Sequence, residues 1–468
     1  MGFHRSPSRC SEVIDVAVNN DSISRGPVDQ QSQNEGFRLR AKDMKTARME
    51  STGPRRLIAC HECGSVHAIA GLPVDRVAHC RTCDSPLTSG KRSEPESLLA
   101  IYLAAAVLVV VAHSFPIMGL DIQGKTQTAT LVTGPAMLIQ QGMWPLGLLV
   151  VIVVSVIPSL RILSNILILG PITIGRRPWA GAWLMRLGGS LKPWSMMEIM
   201  LLGLIVAYVK LIDLASVQLG LSLYAFVGVI LLLLLADLIT EPAVIWDKIR
   251  ARPPLSLAAG QPLLACHACG QVDVAPAGAQ HGVACSRCGA SLHRRKPNSL
   301  ARTWALLLAA TIFYIPANLL PVMTVTYLGN SEPDTILSGV KSLLAAGMFP
   351  VALLVFFASI LVPVLKLCGL VWLLLSVQFK SRQRLRQRTK IYRIIEGVGR
   401  WSMVDIFMIS ILVALVELGA LARIDPGPGA LAFAAVVILT MLGSASFDPK
   451  LMWDVEEDGR ERTRNWRV

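Results

Sequence analysis

Apolar residues in this chain gather into eight long runs separated by shorter polar stretches. A membrane-spanning helix needs about 20 mainly apolar residues. By that measure the runs predict spans near 98–119, 142–170, 196–217 and 220–240, then 300–322, 346–379, 403–422 and 429–446. The third and fourth spans of each group are separated by only a few residues. Spans 142–170 and 346–379 exceed what a bilayer needs, so they are expected to project into the cytoplasm as amphipathic extensions. Residues 1–56 are polar, poor in aromatics and mixed in charge, which predicts a disordered N-terminal tail. They hold no apolar stretch of the signal-peptide kind, so the first span is expected to act as its own insertion signal. A second polar tail covers 455–468.

The pattern occurs twice. Cys60-x2-Cys63 and Cys80-x2-Cys83 return as Cys266-x2-Cys269 and Cys285-x2-Cys288, with first cysteines 206 residues apart (266 − 60). Phe115-Pro116-Ile117-Met118 returns as Leu320-Pro321-Val322-Met323, and Gly142-Met143-Trp144-Pro145 as Gly347-Met348-Phe349-Pro350, both at an offset of 205. Trp194-Ser195-Met196 and Glu241-Pro242 return as Trp401-Ser402-Met403 and Asp448-Pro449 at 207. The predicted fold class is therefore an all-α polytopic membrane protein. It has two tandem repeats of four transmembrane helices, each preceded by a small cytoplasmic zinc ribbon. The expected domains are a first ribbon at 57–92, a first transmembrane half at 97–247, a second ribbon at 261–297 and a second half at 299–454.

Composition agrees. The 468 residues are 53% hydrophobic and 16% charged, with mean hydropathy +0.53, against roughly 25% charged in soluble domains. The formal charge of +14 would suggest nucleic acid in a soluble protein. Here the basic residues lie between apolar runs, which makes them topology signals, and no nucleic-acid partner is expected. Arg176, Arg177, Arg186 and Lys192 follow the second span, and Lys380, Arg382, Arg384, Arg386, Arg388 and Lys390 follow the sixth. Loops 120–141 and 323–345 carry few. The positive-inside rule then puts both cysteine modules and both termini in the cytoplasm. The basic loop 380–393 is read as topology signal plus contact with anionic lipid.

Eight of the ten cysteines lie in the paired motifs. Intervals of 16 and 15 residues between the pairs suit a four-cysteine zinc ribbon. Each CxxC turn brings two thiolates to one ion, and a second turn completes a tetrahedron. Gly64, Gly270 and Gly289 follow the last cysteine of their knuckles, where the turn favours positive φ; Asp84 takes that place in the fourth. A module of about 30 residues is too small to hold a core unaided, so bound metal would supply folding energy. The expected ligands are Cys60, Cys63, Cys80, Cys83, Cys266, Cys269, Cys285 and Cys288, holding two structural Zn²⁺ ions. Stable disulfides do not suit the cytoplasmic side, and four ligands leave no open catalytic position. Nearby histidines, His67 among them, are read as solvated loop residues. Cys10 and Cys368 stand outside the motifs and are read as incidental.

Ionisable groups inside a bilayer usually face a cavity or a partner. Lys210 and Asp213 share a helix face in the third span. Lys366 lies in the sixth, where the first repeat has Arg161, and Thr440 in the eighth, where it has Leu233. These four form the expected transport cluster, with Glu417 and Asn318 beside them; snorkelling of the lysines is the plainer alternative. Glu198 and Asp405 match each other at the starts of the third and seventh spans, where a helix dipole explains them. Pro116, Pro158, Pro321 and Pro363 are expected to kink spans.

The two four-cysteine heads, each leading into four spans, and the repeated Pro-x-Met after the first span of each set resemble the paraquat-inducible protein A family over about residues 57–455. That resemblance implies a bacterial inner-membrane subunit of an intermembrane lipid transport system. Its partners would be phospholipid and a periplasmic MCE-domain tunnel protein. No GxxxxGK[ST] motif is present, and no nucleophile, base and orienting group recur at a recognisable spacing, so the protein is not expected to be an enzyme. The alternatives are a zinc- or redox-sensing membrane regulator and a proton-coupled small-molecule exporter.

Overall fold

The structure is a computed structural model. It describes residues 56–69, 72–73, 76–91, 93–122, 125–212, 216–253, 263–274, 283–327, 330–345, 347–416 and 422–454. The tails expected at 1–56 and 455–468 fall outside these residues apart from Arg56, as do Asp213 and Glu417. The chain divides into two compact units, one of Met1–Ser93 with Glu241–Arg294, the other of Glu94–Thr240 with Arg295–Val468.

The first unit holds both cysteine modules. Each consists of two short antiparallel hairpins: Arg56–Ala59 with Val66–Ile69 and Val77–His79 with Pro86–Ser89, then Leu263–Ala265 with Val272–Val274 and Val283–Ala284 with Ser291–Leu292. A CxxC knuckle forms the tip of every hairpin. The same unit contains the helix Pro242–Ile249, which presents Ile245, Trp246 and Ile249 to its interior.

Both ends of that helix are held by the modules. The Glu241 carboxylate accepts hydrogen bonds from the Thr88 hydroxyl, at 3.2 Å, and from the Ser89 hydroxyl and amide. Asp247 pairs with Arg56 of the first module at 3.0 Å, with Arg287 of the second at 2.6 Å, and with Arg252 at 3.1 Å.

Among the described residues, the second unit carries eight helices long and apolar enough to cross a membrane: Pro95–Ser114, Trp144–Thr173, Gly181–Ile212, Leu221–Ile239, Ser299–Leu319, Phe349–Gln378, Leu385–Leu415 and Pro428–Asp454. This is the expected all-helical membrane architecture, in two repeats of four. The seventh helix is its centre. Every residue of Val404–Leu415 is buried, as befits a helix apolar on every side except at Asp405 and Ser410. Gly203 of the third span lets Phe407 and Met408 approach to within 3.0–3.2 Å of where a Cβ would stand.

Both 30-residue helices contain a π-helical turn at the same place, Ile152–Val156 and Phe357–Leu361. Each lies just ahead of a proline, Pro158 or Pro363. Proline lacks an N–H and its ring collides with the carbonyl four residues back, here Val154 or Ser359. Widening the turn to i→i+5 bonding removes that collision without ending the helix.

The other two prolines behave differently from the expectation. The first and fifth spans end at Ser114 and Leu319, so Pro116 and Pro321 terminate helices rather than kink them. Beyond each proline the chain enters a three-stranded antiparallel sheet that its polar sequence did not announce. Met118–Ile122 lies between Lys125–Ala129 and Ser216–Leu219, and Met323–Tyr327 between Asn330–Asp334 and Ala422–Pro426. Gly220 and Gly427 close the two sheets, donating to Ile117 O at 3.0 Å and Val322 O at 2.8 Å. A Cβ at either would strike the carbonyl of Pro116 or Pro321, which is why glycine stands at both.

The amphipathic segments also differ from expectation. They are not extensions of the long spans but separate starts to the third and seventh, Gly181–Leu191 and Leu385–Val398. Short 3₁₀ turns at Lys192–Trp194 and Gly399–Met403 join them to the apolar helices.

Candidate metal centres and intramembrane cavity

Each knuckle is built by the same two backbone bonds. Gly64, Asp84, Gly270 and Gly289 donate their N–H to the first cysteine carbonyl of their pair at 2.8–3.0 Å. The first cysteine amides donate onward to Ser65, Ser85, Gln271 and Ala290, all at 2.8 Å. All four turn residues have positive φ, between 62° and 80°. Asp84 therefore takes up the left-handed backbone that its three equivalents reach as glycine, a conformation Asp tolerates better than most side chains.

The eight paired cysteines are buried in two groups of four, each with its sulfurs within 4.8 Å of one another. Cys60–Cys83 and Cys63–Cys80 lie 3.4 and 3.5 Å apart, and Cys266–Cys288 and Cys269–Cys285 3.5 and 3.6 Å. A tetrahedral ion with Zn–S bonds of about 2.3 Å needs sulfur–sulfur edges of about 3.8 Å, so both sets fit such an ion with little movement. Thiol–thiol hydrogen bonding polarises each set. The bond with Cys63 pulls Cys60 down to about 6 and pushes Cys63 up. The bond with Cys269 pulls Cys266 down to about 4 and pushes Cys269 up.

The first centre has a feature that the sequence reading passed over. His67 is wholly buried, not solvated. Its Nε2 lies 3.3 Å from Cys80 Sγ and 3.0 Å from Ser65 Oγ. It stands on the strand Val66–Ile69, whose buried positions are His67 and Ile69. An imidazole here can hydrogen-bond a ligand sulfur and orient it. At the second centre the matching residue is Asp273, which binds the Ser286 amide and hydroxyl instead.

In the membrane unit, the expected transport residues divide between places. Lys210 lines a part-open cavity, about 420 Å³ of empty space with its open mouth included, together with Val322, Met323, Asp334, Asp405 and Phe433 among others. Lys366, Thr440 and Asn318 are not among its lining residues. Lys366 is buried with its Nζ against Gly399. Thr440 donates to Val437 O at 3.0 Å and Asn318 to Tyr314 O at 2.8 Å, each within its own helix. Arg161, the first-repeat counterpart of Lys366, pairs with Asp237, which also meets Lys192 at 3.2 Å.

The residue that sequence reasoning undervalued is Asp405. Its first-repeat match Glu198 is exposed, as the helix-dipole explanation requires. Asp405 is 4% exposed and faces the cavity. Neither carboxylate oxygen has a hydrogen-bond partner among the described residues. The nearby Ser359 hydroxyl donates to Val355 O instead, at 2.7 Å.

Comparison with known proteins gives a consistent set. The family model described as "Paraquat-inducible protein A" matches residues 96–250 and 300–457. The chain is 34% identical over 404 residues to "Intermembrane transport protein PqiA" of Escherichia coli K12, covering 85% of this chain and 95% of that one. It is 32% identical over 417 residues to "Lipophilic envelope-spanning tunnel protein A" of the same organism, covering 86% and 92%. To a "Probable intermembrane transport protein" of Haemophilus influenzae it is 28% identical over 406 residues, covering 86% and 97%. No solved structure matches it.

Proposed function

Since the chain belongs to the paraquat-inducible protein A family, we propose that it is the inner-membrane subunit of an intermembrane lipid transport system. It exchanges phospholipid between the inner membrane and a periplasmic MCE-domain tunnel. The observation that carries this reading is the cavity of the membrane unit. It combines apolar walls of Val322, Met323, Val355 and Ile409 with the charged groups Lys210, Asp334 and Asp405, the amphipathic character that a phospholipid requires.

Asp334, Val322 and Met323 belong to the segment whose flanks carry few basic residues, so the cavity opens toward the periplasm under the positive-inside rule. Both termini and both cysteine modules then lie in the cytoplasm. The two three-stranded sheets stand on the periplasmic side, where a tunnel protein would dock. The cysteine modules act as structural caps, each holding one Zn²⁺ through its four thiolates. With all four positions filled by sulfur the ion has no site for substrate. The protein works as a transporter rather than an enzyme.

The test is site-specific photocrosslinking from Met408 and Gly339 in native membranes, followed by lipid analysis of the adducts. Recovered phospholipid supports the reading. Adducts only with small water-soluble solutes would sink it.

A further inference from the structure

Resting on that reading of the cavity, we infer that it selects phospholipid headgroups bearing a primary ammonium, as in phosphatidylethanolamine. The cavity contains two carboxylates, Asp334 and Asp405, against one ammonium, Lys210. Its formal charge is one unit negative. A buried charge left without a partner is costly. Asp405 is the acid least provided for: 4% exposed, facing the cavity, with both oxygens lacking hydrogen-bond partners among the described residues and the single Lys210 ammonium shared with Asp334.

An ammonium entering the cavity supplies the missing bonds and gives the two acids a second cation. A primary ammonium brings three donors to a site where both oxygens of Asp405 are open, beside Asp334, whose Oδ1 already accepts from the Ser338 hydroxyl at 3.0 Å. A quaternary ammonium has none, and is held instead by a cage of aromatic faces. Phe433 is the single aromatic among the lining residues, so choline headgroups are poorly served. A glycerol headgroup brings the same phosphate with no cation for the two acids, so the site stays short of a partner for Asp405. With the ammonium on the acids, the adjoining phosphate meets Lys210, so a zwitterionic ethanolamine headgroup matches all three charged side chains.

The first repeat does not reproduce this arrangement. Ala129 stands at the position of Asp334, and the match of Asp405, Glu198, is exposed. The two acids that read the ammonium therefore both belong to the second repeat, while Lys210 of the first repeat meets the phosphate.

The test places the full chain in phosphatidylcholine nanodiscs containing trace acyl-linked photoprobes with ethanolamine, choline or glycerol headgroups. Adducts on the cavity-lining peptides are quantified by mass spectrometry. The ethanolamine probe is expected to label these peptides about tenfold more than the others, and Asp405→Asn to remove that preference. Asp334→Asn at the cavity rim gives an independent reading should Asp405→Asn fail to fold. Equal cavity labelling by all three probes, or a preference that survives the folded variants, overturns the headgroup assignment and leaves lipid handling intact. No labelling by any probe above that of an unrelated membrane protein overturns lipid handling itself.

Discussion

Arg287 Nη2 donates to Asp247 Oδ1 at 2.6 Å from a side chain wholly shut off from solvent. Arg287 stands inside a CxxC knuckle, between Cys285 and Cys288, whereas Asp247 lies near the end of the helix Pro242–Ile249. The guanidinium also donates to Arg250 O at 2.9–3.0 Å and lies 5.8 Å from the centre of the Trp246 ring. The metal-binding turn and the helix are thus one assembly.

Removing Asp247 should therefore be more damaging than its partial exposure suggests. Asp247→Ala leaves the buried Arg287 cation without its counter-charge, a defect of about 3–5 kcal/mol for a buried pair. Thermal unfolding and limited proteolysis of the purified protein should show early loss of the cysteine unit. Arg287→Met in the same background is expected to restore part of the stability, since it removes the orphaned charge.

Metal content gives a second check. The wild-type protein should carry two zinc ions per chain, one for each buried group of four cysteines. Cys60→Ser and Cys266→Ser should each reduce this by one when measured by elemental analysis. The metal should be lost as pH falls, because protons compete with it for the thiolates. A content unchanged by either substitution would contradict the ligand sets.

His67 makes the two centres unequal. Replacing it with Ala removes the imidazole beside Cys80 and should weaken metal binding at the first centre by about 10–100-fold. Chelator competition should then resolve a fast phase from the first centre and an unchanged slow phase from the second. Uniform kinetics would exclude an orienting role.

Gly399 stands where the first repeat has Lys192, and a Cβ there would overlap Lys366 Nζ. Gly399→Ala should push the end of the Lys366 side chain aside at a cost of about 1 kcal/mol, read as a lower midpoint of thermal unfolding in detergent. A shorter side chain at 366, as in Lys366→Ala, should relieve the overlap and make the two substitutions less than additive.

The duplication, the spans and the cysteine motifs were legible because each rests on spacing or on long apolar runs, which survive any tertiary arrangement. Asp84 could be placed in its turn from its position after Cys83. What could not be read depended on environment. Glu198 and Asp405 align with each other, yet one is exposed and the other buried, because the seventh helix is enclosed on all sides and the third is not. His67 resembled its solvated neighbours until the strand turned it inward. The sheets were hidden because strands such as Lys125–Ala129 and Asn330–Asp334 are polar. These pair across a turn with the central strands, whose other partners lie about a hundred residues away.

One more consequence lies in the acids that end the repeats. The Glu241 amide donates to Ser93 Oγ at 2.6 Å, and the Asp448 amide to Ser299 Oγ at 2.9 Å. Their carboxylates accept from the amides of Ser89 and Lys296. Each repeat thus fastens its own exit to its own entrance before the chain moves on. Each fastening uses residues of its own repeat only, so the first can form while the second half is still being made. An ancestral gene encoding one half would have had the same closure available to it.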